Sequence, residues 1–414
     1  MLRHHTLLAL VVAEAVSSTG SAMTFLALPW FVLVTSGSAT RMSVVLAAEI
    51  LPLALFGIPA GSVIARHGAR RTMLVADAAR VPLTTLVPVL YWTGHLSFAT
   101  LVALVFVSGI FFAPYITAQR SIIPELFGDD EKLVSKASGV FGAATQLPIV
   151  VGPALTGVLI PLIGAAPMLV VDGATFLFAF LVVLLFVAGG RPVAGDDSSR
   201  GALAGVRYLT RDPLLGPITL TLIVLDGAAN GLTVAVPLLA FTRYHRDAHV
   251  AGWIFTGFGL GAIAGSVLVV RLLDRVAPIR IACGGMALLA VPLWTIAWPV
   301  QWPVAAAAVV VTGLIVPFVN APMMGIISTR PPLAVRAKVM TAVLTASGLG
   351  SPVGRLLVGP VYGLGGNAAV WIVIAGGVTL GAALFVLAAW RGSRADARGA
   401  PPQAEATLPA HAGR

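Results

Sequence analysis

An aspartate at position 226 stands inside a long apolar stretch, with Thr219 seven residues before it, Asn230 four after it and Thr233 three further on. Spacings of seven, four and three put all four side chains on one stripe of a helix. A carboxylate in hydrocarbon is costly unless it faces a partner or water, so a residue of this type at this place suits the carriage of a proton. Three other apolar stretches show stripes of the same kind. Glu14, Ser17, Ser18 and Ser21 share one; Ser108, Phe112, Tyr115 and Gln119 form a second; Thr312, Asn320, Met323 and Met324 form a third. The chemistry on offer is binding by hydrogen bonds and by adaptable apolar surface, with Ser17, Ser21, Phe112, Tyr115, Asn230, Asn320 and Met323 as the residues facing a shared cavity. Each stripe also has a plainer reading. Serines 17, 18 and 21 and Thr233 can bond to neighbouring helices, and Phe112, Met323 and Met324 can simply fill space.

These stripes need helices that cross a bilayer. The chain has 414 residues, 58% of them hydrophobic and 10% charged, and a mean hydropathy of +0.97. Apolar runs of membrane-crossing length recur from end to end, which excludes a soluble core. Breaks at Gly, Pro and charge clusters predict twelve spans: 7–34, 43–64, 72–92, 97–119, 134–161, 167–188, 213–240, 250–271, 279–298, 302–327, 336–362 and 368–390. The stripes fall on the first, fourth, seventh and tenth, every third span, as a central cavity requires. The first is expected to be a retained helix, not a cleaved leader. Among the Lys and Arg residues only Arg41, Arg243 and Arg246 fall in loops on one side, Arg80 and Arg355 fall within spans, and the rest lie opposite. This bias predicts a multi-pass cell-membrane protein with both termini cytoplasmic. It also accounts for the net charge of +10 without nucleic acid as a partner. Trp30, Tyr91, Trp92, Tyr244, Trp253, Trp298, Trp302, Tyr362 and Trp371 fall at the external ends and predict an interfacial belt. One cysteine, Cys283, forms no internal disulfide, and no His/Cys spacing matches a metal site, so neither metal nor cofactor is expected.

The chain repeats itself once. Gly61-Ser62-Val63-Ile64 with Arg66 recurs as Gly265-Ser266-Val267-Leu268 with Arg271, 204 residues on; Leu28-Pro29 recurs as Val236-Pro237, and Gly152 with Gly157 recurs as Gly354 with Gly359. Internal duplication is a mark of secondary transporters. The predicted division is a first six-helix bundle at 1–188, a cytoplasmic linker at 189–212, a second bundle at 213–390 and a disordered cytoplasmic tail at 391–414.

Local strings then resemble a known family. Gly61 to Arg71, with Arg66, Gly68 and Arg70 at its signature positions, is similar to the loop between helices 2 and 3 of the major facilitator superfamily, although Ala65 replaces the usual loop acid and Ala69 a usual base. Gly152-Pro153 with Gly157 resembles the helix-5 element of antiporters in that superfamily. Asp77 with Arg80, Pro114 to Arg120 followed by Ile123-Pro124-Glu125, Asp172 to Phe176, and Asp212-Pro213-Leu214-Leu215 are similar to the drug:proton antiporter branch that includes macrolide efflux and enterobactin export proteins. The resemblance implies an all-α integral membrane fold of twelve helices in two pseudo-symmetric six-helix bundles that rock about a central site. It places Gly61, Arg66, Gly68, Arg70, Arg71, Arg80 and Arg120 at a cytoplasmic gate, with Asp77 and Arg80 able to pair with each other or with the gate loop. Arg355, at the position equivalent to Pro153 in the repeat, either pairs with an acid, contacts substrate or snorkels outward.

The expected function is proton-coupled export of a small hydrophobic or amphipathic compound by a monomer in the lipid bilayer. Asp226 is the first expected proton carrier, then Glu14, then Asp77. An importer or facilitator of a small polar metabolite on the same fold is the alternative, and a non-transporting sensor or assembly protein a more distant one. An enzyme is disfavoured, since no His accompanies Ser or Cys within a span and no phosphate loop is present.

Overall fold

The computed structural model describes residues 2–127, 131–187 and 205–399, without the side chains of 2–4, 58–62, 65, 131, 333, 334, 337 and 393–399. Among the described residues there are helices and no strand. The first half comprises α1 (Leu2–Ser36), α2 (Ala39–His67), α3 (Ala69–Trp92), α4 (Phe98–Phe127), α5 (Glu131–Ile163) and α6 (Ala165–Phe186). The second comprises α7 (Leu215–Thr242), α8 (Ala248–Leu273), α9 (Pro278–Leu289), α10 (Val291–Ala297), α11 (Trp302–Thr329), α12 (Leu333–Gly348) and α13 (Gly350–Gly399).

Eleven helical segments among the described residues are long and apolar enough to cross a membrane, and the last, Lys338–Gly392, is long enough to do so twice. It turns back at Gly365 and Gly366, where the backbone leaves helical angles and Gly366 has φ +64°, a conformation that glycine adopts without a Cβ clash. Twelve crossings follow, as the sequence predicts. The ninth is built from two pieces, α9 and α10, because Pro292 has no N–H to offer the Leu288 carbonyl. Between α2 and α3 the whole connection is Gly68, with φ +78°. Ser38 starts α2 by accepting from the Arg41 amide, and Asp247 starts α8 by accepting from the His249 amide, so two helix entries are fixed by side-chain caps.

Within the first half α1 packs on α5 and α6, α2 on α4, and α3 on α4 and α6; within the second, α7 packs on α13 and α11 on α8 and α9. The halves meet where α2 packs on α13 and α5 on α8. The repeated glycines explain this. Gly152 lies against Ala22 of α1, and its counterpart Gly354 lies against the Gly227 backbone of α7. Gly157 lies against Gly252 of α8, with room for a Cβ only 3.0 Å from the Gly252 Cα, and its counterpart Gly359 lies against Thr40 of α2. Each string therefore serves one contact within its own half and one across to the other half, and the duplication is structural.

Leu162, Leu185, Leu220 and Val270 are exposed on the flanks, where lipid, not water, is their solvent. Trp92, Trp253, Trp298 and Trp302 are exposed at helix ends as an interfacial belt requires, but Trp30, Tyr244 and Trp371 are buried. Trp30 meets Phe241 edge-on at 5.7 Å across the two halves, so its size is spent on packing. The tail expected to be disordered from 391 is helical through Gly399, because Arg and Ala in 391–399 continue the α13 ladder. Residues 400–414 lie outside the described ones.

Candidate functional site

A cavity of about 1050 Å³ lies between the halves. Its walls come from the middle of α1, α4, α5, α7, α8 and α11 and run toward the end of the bundle where α1 begins. At the opposite end the halves close on each other through Gly157 with Gly252, Gly359 with Thr40, and Trp30 with Phe241. Beyond that closure a separate hollow of about 1170 Å³ sits among the helix ends, bordered by Trp30, Tyr91, Tyr244 and Arg243. All seven residues expected to face a cavity, Ser17, Ser21, Phe112, Tyr115, Asn230, Asn320 and Met323, line the inner one, as do Glu14 and Asp226. Most of the remaining lining is Leu, Val, Ile and Phe, with Phe25 and Phe255 edge-on at 5.2 Å where α1 faces α8.

The first-half wall is organised by Glu14. Its carboxylate accepts hydrogen bonds from Ser18 (3.0 Å), from the Tyr115 hydroxyl (3.0 Å) and from the Gln119 amide. The stripes on α1 and α4 thus meet in one buried cluster. Arg80 lies beside it. Its guanidinium sits 3.8 Å over the Phe176 ring, with Phe112 and Tyr115 at 5.4 and 5.6 Å, and it reaches Ser21 at 3.5 Å. Arg80 thus lines the cavity wall, and of the two partners open to it Asp77 is not hydrogen-bonded. A ring face takes the delocalised cation, and both carboxylate oxygens of the fully buried Asp77 are left without a hydrogen-bond partner. Asp77 lies behind the wall, not on it. Asp172 of α6, also buried, accepts from Thr24 at 2.7 Å and from Thr175 at 3.4 Å.

The second-half wall is organised by Asp226. Ser351 of α13 donates to it, Asn230 donates to the Ser351 oxygen at 2.9 Å, and Asn230 in turn faces Arg355 at 3.5 Å. Arg355 neither snorkels nor lines the cavity. It is buried and crosses to the other half, bonding Glu49 of α2 at 2.9 Å and the Leu46 carbonyl at 3.1 Å.

The remaining expected gate residues separate. Gly61 falls within α2, but its surroundings lie outside the described residues. Arg66 and Arg71 are exposed, and Gly68 makes the turn. Arg70 binds the last carbonyls of α6, with Leu184 at 2.9 Å, which pins the start of α3 to the C-terminus of α6. Arg120 lines the cavity mouth. Glu125 of α4 accepts from the Ala69 amide at 2.7 Å and so caps α3. In the helix-5 element Pro153 lines the cavity and its carbonyl lies against Gly252.

Sequence reasoning missed Glu49 and Ser351, and singled out Asp172 only through the family resemblance, with no role of its own. Glu49 was detectable as a lone carboxylate well inside an apolar stretch, the same signal that marks Asp226. Ser351 carried no signal of its own.

A family profile described as transmembrane secretion effector, within the major facilitator superfamily, matches residues 1–408. The chain is 27% identical over 386 residues to the multidrug efflux pump Tap of Mycolicibacterium fortuitum, covering 89% of this chain and 92% of that one. It is 26% identical over 380 residues to Tap of Mycobacterium tuberculosis (strain ATCC 25618 / H37Rv), covering 88% of each. Among solved structures it resembles the nucleoside transporter NupG, with TM-score 0.77 and 12% identity over 92% of this chain and 98% of that one. It also resembles a bacterial homolog of the human lysosomal transporter Spinster in an inward-facing, unoccupied conformation, with TM-score 0.72 and 16% identity over 97% and 99% of the chains.

Proposed function

The chain belongs to the transmembrane secretion effector family of the major facilitator superfamily, and from that premise we propose that it exports small hydrophobic or amphipathic compounds across the cell membrane in exchange for protons. The observation that carries this reading is one cavity with two kinds of wall. Its apolar and aromatic lining suits a substrate chosen by shape and greasiness, while Glu14 and Asp226 each bring an exchangeable proton to the same space. The curated relatives, both multidrug efflux pumps, favour export over import.

In this reading the bundles are residues 1–188 and 213–390, joined by 189–212, and the chain works as a monomer surrounded by lipid. Its termini lie in the cytoplasm, consistent with the loop charges. The cavity then faces inward and loads from the cytoplasm or the inner leaflet. Closing there and opening between α5 and α8 and between α2 and α13 carries substrate out. A proton taken from outside onto Asp226, with Glu14 as the reserve carrier, discharges on the inner side and resets the cycle; the substrate leaves chemically unchanged.

The test is flux in liposomes with a pH-sensitive dye inside and a panel of lipophilic cations and neutral amphipaths. Substrate-dependent proton movement is expected for the native protein, and Asp226→Asn is expected to abolish uphill transport while keeping downhill exchange. Full uphill transport by a folded Asp226→Asn protein rejects Asp226 as the carrier. Proton movement in the direction of substrate movement rejects export by exchange.

A further inference from the structure

Arg355 stands between two things that a transporter must connect. On one side it holds α2 of the other half through Glu49 and the Leu46 carbonyl, at 2.9 and 3.1 Å. On the other it faces Asn230, whose amide nitrogen bonds Ser351, whose hydroxyl bonds Asp226. The side chain is 6% exposed, so its charge is held by these partners and not by water. The contact lies on the closed side of the bundle, within the same α2–α13 seam as Gly359 and Thr40. We propose that Arg355 is a positioning residue that latches the closed outer face to Glu49, and that the protonation state of Asp226 releases it through Ser351 and Asn230.

The direction follows from donors and acceptors. An ionised Asp226 accepts from Ser351, which leaves the Ser351 oxygen for the Asn230 amide N–H and turns the Asn230 carbonyl oxygen toward Arg355. A protonated Asp226 carries its own donor. It competes with the Asn230 amide for the Ser351 oxygen, while the Asn230 nitrogen keeps its bond to the Asp226 backbone carbonyl at 3.1 Å; the relay that aims the Asn230 oxygen at Arg355 loosens, and Arg355 is left to the Glu49 carboxylate and the Leu46 carbonyl. The charged groups facing Asp226 are Arg355 from α13 and, beyond it, Glu49 from α2. A proton at the cavity wall thereby loosens the far seam, and by linkage Asp226 holds its proton more tightly when the seam is open and gives it up more readily when the seam is closed and the cavity faces inward.

The inference deepens the exchange reading, yet its test needs no flux. Spin labels on cysteines placed at Thr35 and Leu364, with Cys283→Ser, report the separation of the halves at the outer face in lipid nanodiscs. The native protein is expected to show mainly the short separation at alkaline pH and a growing long one on acidification. Glu49→Gln and Arg355→Gln are expected to raise the long-to-short ratio severalfold, up to roughly tenfold, at alkaline pH, since either change removes the ion pair across the seam, of which only the Arg355 side is buried. The exchanged pair Glu49→Arg with Arg355→Glu is expected to restore the short separation, which a merely structural loss of packing does not do. Asp226→Asn is expected to flatten the pH response. Unchanged separations in folded Glu49→Gln and Arg355→Gln proteins overturn the latch. A native pH response in Asp226→Asn overturns the link to Asp226. A variant that alters flux and leaves these distances alone bears on the exchange reading and not on the latch.

Discussion

At the scale of single residues, the first-half wall turns on how one cation is shared. Glu14, Asp77 and Asp172 are all buried, and Arg80 is the guanidinium that lies among them, yet it is stacked on Phe176 and bonded to none of the three. A cation held by a ring face is held by its quadrupole, with an energy of roughly 1–2 kcal/mol, and so is free to swing toward whichever carboxylate is ionised. Arg80→Gln removes that mobile countercharge while keeping hydrogen-bonding groups, and is expected to lower the transport rate by about two orders of magnitude with substrate affinity little changed, because the group serves the proton and not the substrate. Arg80→Lys is expected to rescue poorly, since an ammonium is a compact, strongly hydrated charge that does not stack as a planar guanidinium does. Initial rates and affinities from the same reconstituted preparations separate these outcomes; equal loss of both would place Arg80 in substrate binding.

At the scale of elements, the glycines at the helix contacts make a sharp contrast. Gly252 faces the other half, where a Cβ would stand 2.8 Å from the Pro153 carbonyl oxygen, whereas Gly354 faces Gly227 inside its own half. A bulky side chain at the first must push α5 away from α8; at the second it must push apart a pair of helices within one bundle. Gly252→Val is therefore expected to keep thermal stability and shift the resting state toward outward opening, read as faster labelling of an outer-seam cysteine. Gly354→Val is expected to lower stability by about 1–3 kcal/mol, the usual cost of overpacking, without that shift. The start of α7 gives a pH prediction. Burial raises the Asp212 carboxyl, but the Arg330 guanidinium at 2.9 Å and the amides of Leu215 and Leu214 outweigh it and hold the group below its ordinary value. A lowered folded value means that the stabilisation is whole above the ordinary carboxylate range and is lost as pH falls through the lowered one. Asp212→Asn keeps an acceptor for the two amides but removes the charge paired with Arg330, and is thus expected to reduce stability near neutrality by about 1 kcal/mol and to lessen the drop in strong acid, measured by thermal unfolding in detergent.

At the scale of the whole molecule, what the sequence disclosed and what it hid divide along sequence distance. Stripes at four and three residues are local facts, so the cavity faces of α1, α4, α7 and α11 could be read directly, and the repeat offset foretold that Gly157 and Gly359 do equivalent work. Arg80 and Arg355 could not be placed, because their partners are set by packing: Phe176 lies on another helix, and Glu49 is 306 residues from Arg355. The resulting arrangement puts one cavity acid on each half, Glu14 on α1 and Asp226 on α7, with substrate-sized space between. A lipophilic cation in that space and a proton on either acid then compete for the same negative charge, whereas a neutral amphipath of similar shape does not compete. Affinity for the cation is expected to fall as pH falls, by at most about tenfold per pH unit for each proton displaced, while affinity for the neutral compound stays level. The double variant Glu14→Gln with Asp226→Asn should bind both compounds independently of pH, as followed by fluorescence titration of purified protein. A pH dependence shared equally by the cation and the neutral compound would place the proton's effect in the equilibrium between open faces, through the α2–α13 seam, and not in the charge of the cavity itself.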